Sequence, residues 1–171
     1  MFSRKEAPGM TPDIHRFLTT HDDSGKARFA PDRQIGFRDV DGGDARFSLI
    51  WTTNQSPADN SDETDGADRV VSLALKGGSV LRVVDIRPGA RSPMHRTLSL
   101  DYGIVLQGEI VLELDSGEER TVPQGAIVIQ RGTSHAWVNR TETWVRIAFV
   151  LLDAAPLVIA GQTLGEIDVD H

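Results

Sequence analysis

His95 and His135 are the side chains in this sequence best suited to chemistry. Each stands beside glycine turns in a short strand-like run, which is how a β-fold gathers ligands from distant parts of a chain. The first run is Gly89-Ala-Arg-Ser-Pro-Met-His95-Arg-Thr97-Leu-Ser-Leu-Asp101-Tyr-Gly-Ile-Val-Leu-Gln-Gly108, and the second is Gly125-Ala-Ile-Val-Ile-Gln-Arg-Gly132-Thr-Ser-His135-Ala-Trp-Val-Asn139. Side chains alternate faces along a strand, so His95 shares a face with Thr97, and His135 shares one with Trp137 and Asn139. Two neutral imidazoles and the Asp101 carboxylate make a donor set suited to a divalent transition metal, Fe, Mn, Ni or Zn, with coordination positions left open. Thr97, Trp137 and Asn139 would then line the substrate pocket. The same residues also suit a metal-free polar network, in which Thr97 and Asp101 satisfy the buried histidines.

The elements that must position these groups are β-strands. Between Ser79 and Leu152 the sequence reads as short strands punctuated by turn residues, with no helical period long enough to compete. The expected strands are Ser79 to Ile86, Arg91 to Thr97, Ile104 to Gln107, Ile110 to Leu114, Glu119 to Val122, Ala126 to Gln130, His135 to Val138 and Thr143 to Leu152. Ile110, Leu112 and Leu114 alternate with Glu109, Val111 and Glu113, and Asp115-Ser-Gly-Glu118 supplies a hairpin turn. An all-β sandwich or barrel follows.

Upstream, Pro12 to Thr20 and Phe47 to Thr53 read as outer strands that cover a sheet edge or extend the barrel, separated by a polar stretch from His21 to Asp44. Asn54 to Asp68 reads as an exposed acidic loop without the ligand alternation of a calcium loop. Val70 to Leu75 reads as a strand or short helix. One structural domain is expected, with residues 1–78 as an N-terminal extension on the barrel, 79–152 as its core and 153–171 as a tail.

Bulk properties narrow the function. The chain has 171 residues and no cysteine, which excludes disulfides, thiolate ligands and a cysteine nucleophile. Its formal charge of −7 comes with scattered Lys and Arg, so no nucleic-acid or membrane partner is expected. The opening residues hold no apolar core of signal-peptide length, and the apolar run from Trp144 to Leu152 is interrupted by Arg146 and too short to span a bilayer. A cytoplasmic location and a small-molecule substrate are the expectations.

The two runs resemble the paired motifs of the cupin superfamily, whose members share a double-stranded β-helix, or jelly-roll, barrel. Gly89, His95, Thr97, Asp101 and Gly108 fall on the spacing of the first motif, with Thr97 where a second histidine usually stands and Asp101 where a glutamate does. Gly125, Gly132, His135 and Asn139 follow the second, with one residue fewer before the turn and Gln130 in the place of proline. Phe17-Leu-Thr-Thr-His21, Trp51-Thr-Thr53, Met94-His-Arg-Thr97 and Gln130-Arg-Gly-Thr133 further resemble single-domain cupins of fungal aromatic-polyketide gene clusters, described as oxidoreductases. That resemblance implies a metal-dependent oxidoreductase acting on an aromatic or polyketide-derived substrate. A non-redox lyase or isomerase and a metal-free binding protein are the alternatives, and pairing of exposed sheet edges would give a homodimer.

Overall fold

The computed structural model describes residues 12–167. In chain order the strands are β1 (Ile14–Arg16), β2 (Thr19–His21), β3 (Ala27–Phe29), β4 (Arg33–Ile35), β5 (Arg38–Asp39), β6 (Ala45–Thr53), β7 (Ser79–Ile86), β8 (Ser99–Gln107), β9 (Glu109–Leu114), β10 (Glu119–Pro123), β11 (Ile127–Arg131), β12 (His135–Val138), β13 (Val145–Asp153), β14 (Val158–Ile159) and β15 (Gln162–Thr163). A single 3-10 turn, Gly66–Asp68, interrupts them among the described residues.

Two sheets form the body, one of six strands in the order β11-β8-β13-β7-β6-β5 and one of three in the order β10-β9-β12. Their facing sides meet in a core of Ile86, Val105, Val145 and Ile147 from the first sheet and Ile110, Val122 and Trp137 from the second. Fully burying an aliphatic side chain of this kind contributes about 1.5–3 kcal/mol. This is a jelly roll, and the ladders do not run unbroken around a closed barrel. Isolated antiparallel bridges, Arg91 to Val138 and His95 to His135, join the segment before β8 to the three-stranded sheet.

The outer face of the six-stranded sheet has its own core, in which Ile35, Ile50 and Val83 pack with Ile14, Phe37 and Leu81. Strands β1 and β4, paired through Ile14 and Ile35, supply its cover. They are pinned by charge: Arg16 and Arg33 both contact the Asp65 carboxylate at 2.6–2.7 Å, and Asp65 also accepts from Ala67 N at the start of the 3-10 turn. The Arg16 partner, with desolvation opposing it, holds the Asp65 carboxyl well below the usual carboxylate range. A second charge cluster lies across β6, β7 and β13, where Arg46, Asp85 and Arg146 are in register. Asp85 has no exposed surface; Arg146 Nε contacts its Oδ1 at 2.7 Å and Arg46 Nη2 its Oδ2 at 2.8 Å. The Phe37 ring lies 4.3 and 4.8 Å from the two guanidinium carbons.

Several expectations need correction. Arg91 to Thr97 is not a ladder strand but an extended segment bridged at Arg91, His95 and Arg96, because Pro93 lacks an N–H and breaks the pairing. Strand β8 starts five positions earlier than Ile104. Val70 to Leu75 is neither strand nor helix, and the polar stretch from His21 to Asp44 holds the short strands β3, β4 and β5. The acidic loop is exposed over most of its length, but Gly66 is buried, where a Cβ would stand 2.5 Å from the Thr52 carbonyl oxygen. No helix among the described residues is long and apolar enough to cross a membrane.

Candidate functional site

His135 opens β12 directly after the turn at Gly132, whose φ of +62° lies in the left-handed region that glycine adopts without strain. His95 lies opposite, and the two residues exchange both main-chain hydrogen bonds, His95 N to His135 O at 3.0 Å and His135 N to His95 O at 2.9 Å. Their ring centroids are 4.3 Å apart. Each ring is anchored the same way, with Nδ1 3.0 Å from the Pro93 carbonyl for His95 and 2.9 Å from the Thr133 carbonyl for His135. A carbonyl only accepts, so each Nδ1 carries hydrogen, and in the neutral ring Nε2 keeps the lone pair. Burial pushes the His135 imidazole down to about 4, with His95 adding to the effect and the Thr133 carbonyl opposing it. His135 is therefore neutral over the physiological range.

Asp101 is 4% exposed and points into the same inter-sheet space, since it shares a face with Gly103 and Val105 on β8. Its Oδ1 accepts from Ser99 Oγ at 2.5 Å and its Oδ2 from Thr97 Oγ1 at 3.2 Å, while the two hydroxyl oxygens stand 2.8 Å apart. Burial raises the Asp101 carboxyl above its ordinary value, against the pull of Ser99, Thr97, His95 and Arg82. Proton affinity thus rises at Asp101 and falls at His135, which brings two unlike acids toward one another.

The floor of the space is apolar. Trp137 packs edge-on to His135 at 6.4 Å and to Phe149 at 5.6 Å between centroids. Gly103 makes room for both rings, because a Cβ there would stand 3.1 Å from Phe149 Cε1 and 3.5 Å from Trp137 Cζ2. The Trp137 Nε1 hydrogen has no partner among the described residues.

The expected site residues separate into three groups. His95 and His135 come together, and Asp101 lies within electrostatic reach of His95. The Asp101 oxygens accept from Ser99 and Thr97, and no group of three or more His, Cys, Asp or Glu side chains that could hold a metal ion is formed among the described residues. Thr97 and Trp137 are in the space, but Asn139 is not available to a substrate. Its Nδ2 donates to the Ile86 and Thr143 carbonyls and its Oδ1 accepts from Thr141, so every polar atom of its amide closes the turn after β12.

Three residues that sequence reasoning passed over also face this space. Ser99 holds Asp101. Gln130 lies directly across from Asp101 in the β11–β8 ladder, is 3% exposed, and has no partner among the described residues for either end of its amide. Arg82 shares the face of Val84 and Ile86 on β7 and senses the Asp101 charge. The available signal was parity, since Arg82 is a cation on the apolar beat of Val80, Val84 and Ile86.

Residues 82–151 match the cupin domain family model. Phomopsin biosynthesis cluster protein C' of Diaporthe leptostromiformis is 46% identical, the match covering 94% of this chain and 89% of that protein. The chain belongs to the cupin family. A second relative of this cupin, the cupin-domain-containing oxidoreductase fogC of Aspergillus ruber, is 38% identical over 88% of this chain and 78% of its own length. Among solved structures, the polyketide cyclase RemF of Streptomyces resistomycificus shares the cupin fold at a TM-score of 0.52 and 21% identity, covering 80% of this chain and 81% of that one. In this cupin the departures from the motifs are the groups that define the site: Thr97 and Asp101 form one hydrogen-bonded unit, and Gln130 stands beside it.

Proposed function

We propose that this cupin is a small-molecule oxidoreductase of secondary metabolism, working in the inter-sheet space at the His95–His135 pair on an aromatic or polyketide-derived substrate. The observation that carries the reading is the pair itself, two imidazoles anchored at Nδ1 on carbonyl oxygens, with neither Nε2 engaged among the described residues. The names of the relatives place such proteins in biosynthesis clusters and among oxidoreductases. In this reading a phenol O–H or an enolisable C–H gives its proton to an Nε2 or to the Asp101 carboxylate, and the electron pair stays on the substrate as a phenolate or enolate. The unpartnered Gln130 amide and Trp137 N–H are suited to the developing negative oxygen. Dioxygen is the oxidant, taking two electrons, with the protons ending in hydrogen peroxide. A divalent Fe, Mn, Ni or Zn would find two imidazole nitrogens here but not Asp101, and no step is assigned to it.

The second reading stops at the anion, which loses water or shifts a proton without oxidation. Asp101 favours it, because a carboxyl with raised proton affinity can return the proton it takes. One assay separates the two. Purified full-length protein is incubated with an extract of aromatic polyketide intermediates, in air and under nitrogen, and products are followed by mass spectrometry. Oxygen-dependent loss of two hydrogens with peroxide formation supports the oxidoreductase. Oxygen-independent loss of water, or conversion at unchanged mass, supports the lyase or isomerase.

A further inference from the structure

Four arginines are buried among the described residues, and their partners differ. Arg16 meets Asp65, and Arg46 and Arg146 meet Asp85. Arg82 is 8% exposed and pairs with no carboxylate among the described residues. Its Nη2 donates to the main-chain carbonyls of Ser72 and Leu73 at 2.5 and 2.6 Å, its guanidinium carbon lies 5.9 Å from the Phe47 ring, and its Nε hydrogen is buried without a partner. A buried cation held only by neutral groups is costly and invites an anion. Arg82 lies on the inward face of β7, the face of Val84 and Ile86, in register with Phe149 and Gly103, and Asp101 with its ladder partner Gln130 lies two positions along on the same face of the sheet. Asp101 is the acidic group acting on it, and both Asp101 oxygens are already engaged by Ser99 and Thr97.

We infer that the inter-sheet space is a binding site for a small aromatic carboxylate, with Arg82 as the anchor for its anionic group and the unpartnered Gln130 amide as a second polar contact. The inference deepens the functional reading above and rests on it for the location of the substrate. Trp137 and Phe149 supply the aromatic wall that such a ligand needs. An Arg presents a planar fork of donors that matches a carboxylate, which a lysine does not reproduce.

The test uses the full-length protein and two probes of nearly equal shape, salicylate and its neutral counterpart salicyl alcohol, by titration calorimetry at low salt. Wild type is expected to bind salicylate about ten-fold or more tightly than the alcohol, the scale of a charge-assisted contact. Arg82→Met should remove that difference while leaving the alcohol unchanged, and Arg82→Lys should restore part of it. Thermal denaturation guards against a folding artefact: Arg82→Met gives up the hydrogen bonds to the Ser72 and Leu73 carbonyls, so some fall in Tm is expected and the affinities are compared at a temperature where the variant is folded. Equal affinity of wild type for both probes, binding of neither, or salicylate binding unaffected by Arg82→Met would overturn the assignment. A lowered Tm with unaltered salicylate affinity would make Arg82 only a strut for the loop at Ser72. His135→Ala should keep the preference for salicylate, so loss of turnover and loss of anchoring report on the two proposals separately.

Discussion

Replacing His135 by alanine is expected to lower turnover about 10²–10⁴-fold, the range contributed by a positioned acid–base group. His95→Ala should do the same, because the two rings stand together and each leaves one Nε2 unengaged among the described residues. Steady-state rates on the product identified by mass spectrometry provide the measurement. The two variants should differ in stability. His135 is 3% exposed and fills the space beside Trp137, so its truncation leaves a void, whereas His95 is only partly buried. Retained turnover in both variants would leave a binding protein without catalysis as the better description.

Asp85→Asn is expected to be strongly destabilising, at about 3–5 kcal/mol, because it neutralises the buried carboxylate that two guanidinium cations share. Both arginines reach the one carboxylate, Arg146 through Nε and Nη2 and Arg46 through Nε and Nη2, and Phe37 covers them from outside. The three residues sit side by side on β6, β7 and β13, so loss of the anion acts on the centre of the six-stranded sheet. Urea denaturation should show the midpoint falling with an unchanged slope. Replacing all three residues by apolar ones of similar volume should cost far less, since it removes the buried charges together rather than one sign alone. A midpoint shift of under about 1 kcal/mol for Asp85→Asn would show that the cluster is better hydrated than its burial implies.

Legibility in the sequence followed burial. Strands β7 and β12 have the expected limits, because each is an apolar run closed by turn residues, Pro88-Gly89 after one and Asn139 after the other. Strand β8 was shortened in the reading because Ser99, Asp101 and Gly103 interrupt its apolar beat. Those are the residues that face the site, so the chemistry itself disguised the strand that carries it. Strands β2 and β3 pair through largely exposed positions and leave no periodic trace. The histidine pair was readable from motif spacing, but the direction of the Asp101 carboxylate was not. It depends on the hydroxyls of Thr97 and Ser99, which compete for oxygens that the spacing alone would offer to a metal. Asn139 misled for a similar reason: it falls on the site face by parity, yet the turn it closes uses its whole amide.

The protonation of His135 also sets how the fold responds to acid. Its folded value lies below the ordinary 6.5, so the unfolded chain binds this proton more readily. Stability is therefore complete above pH 6.5 and declines as pH falls toward about 4, by about 3 kcal/mol over that window. Nitrogen NMR of the imidazoles in isotope-labelled protein, followed across this window, tests the central claim of an Nδ1-anchored pair in which His135 is neutral, without requiring a substrate. The account predicts that His135 keeps its Nδ1–H form with a bare Nε2 until about pH 4. Protonation of His135 near 6.5, or an Nε2–H form at neutral pH, would contradict it.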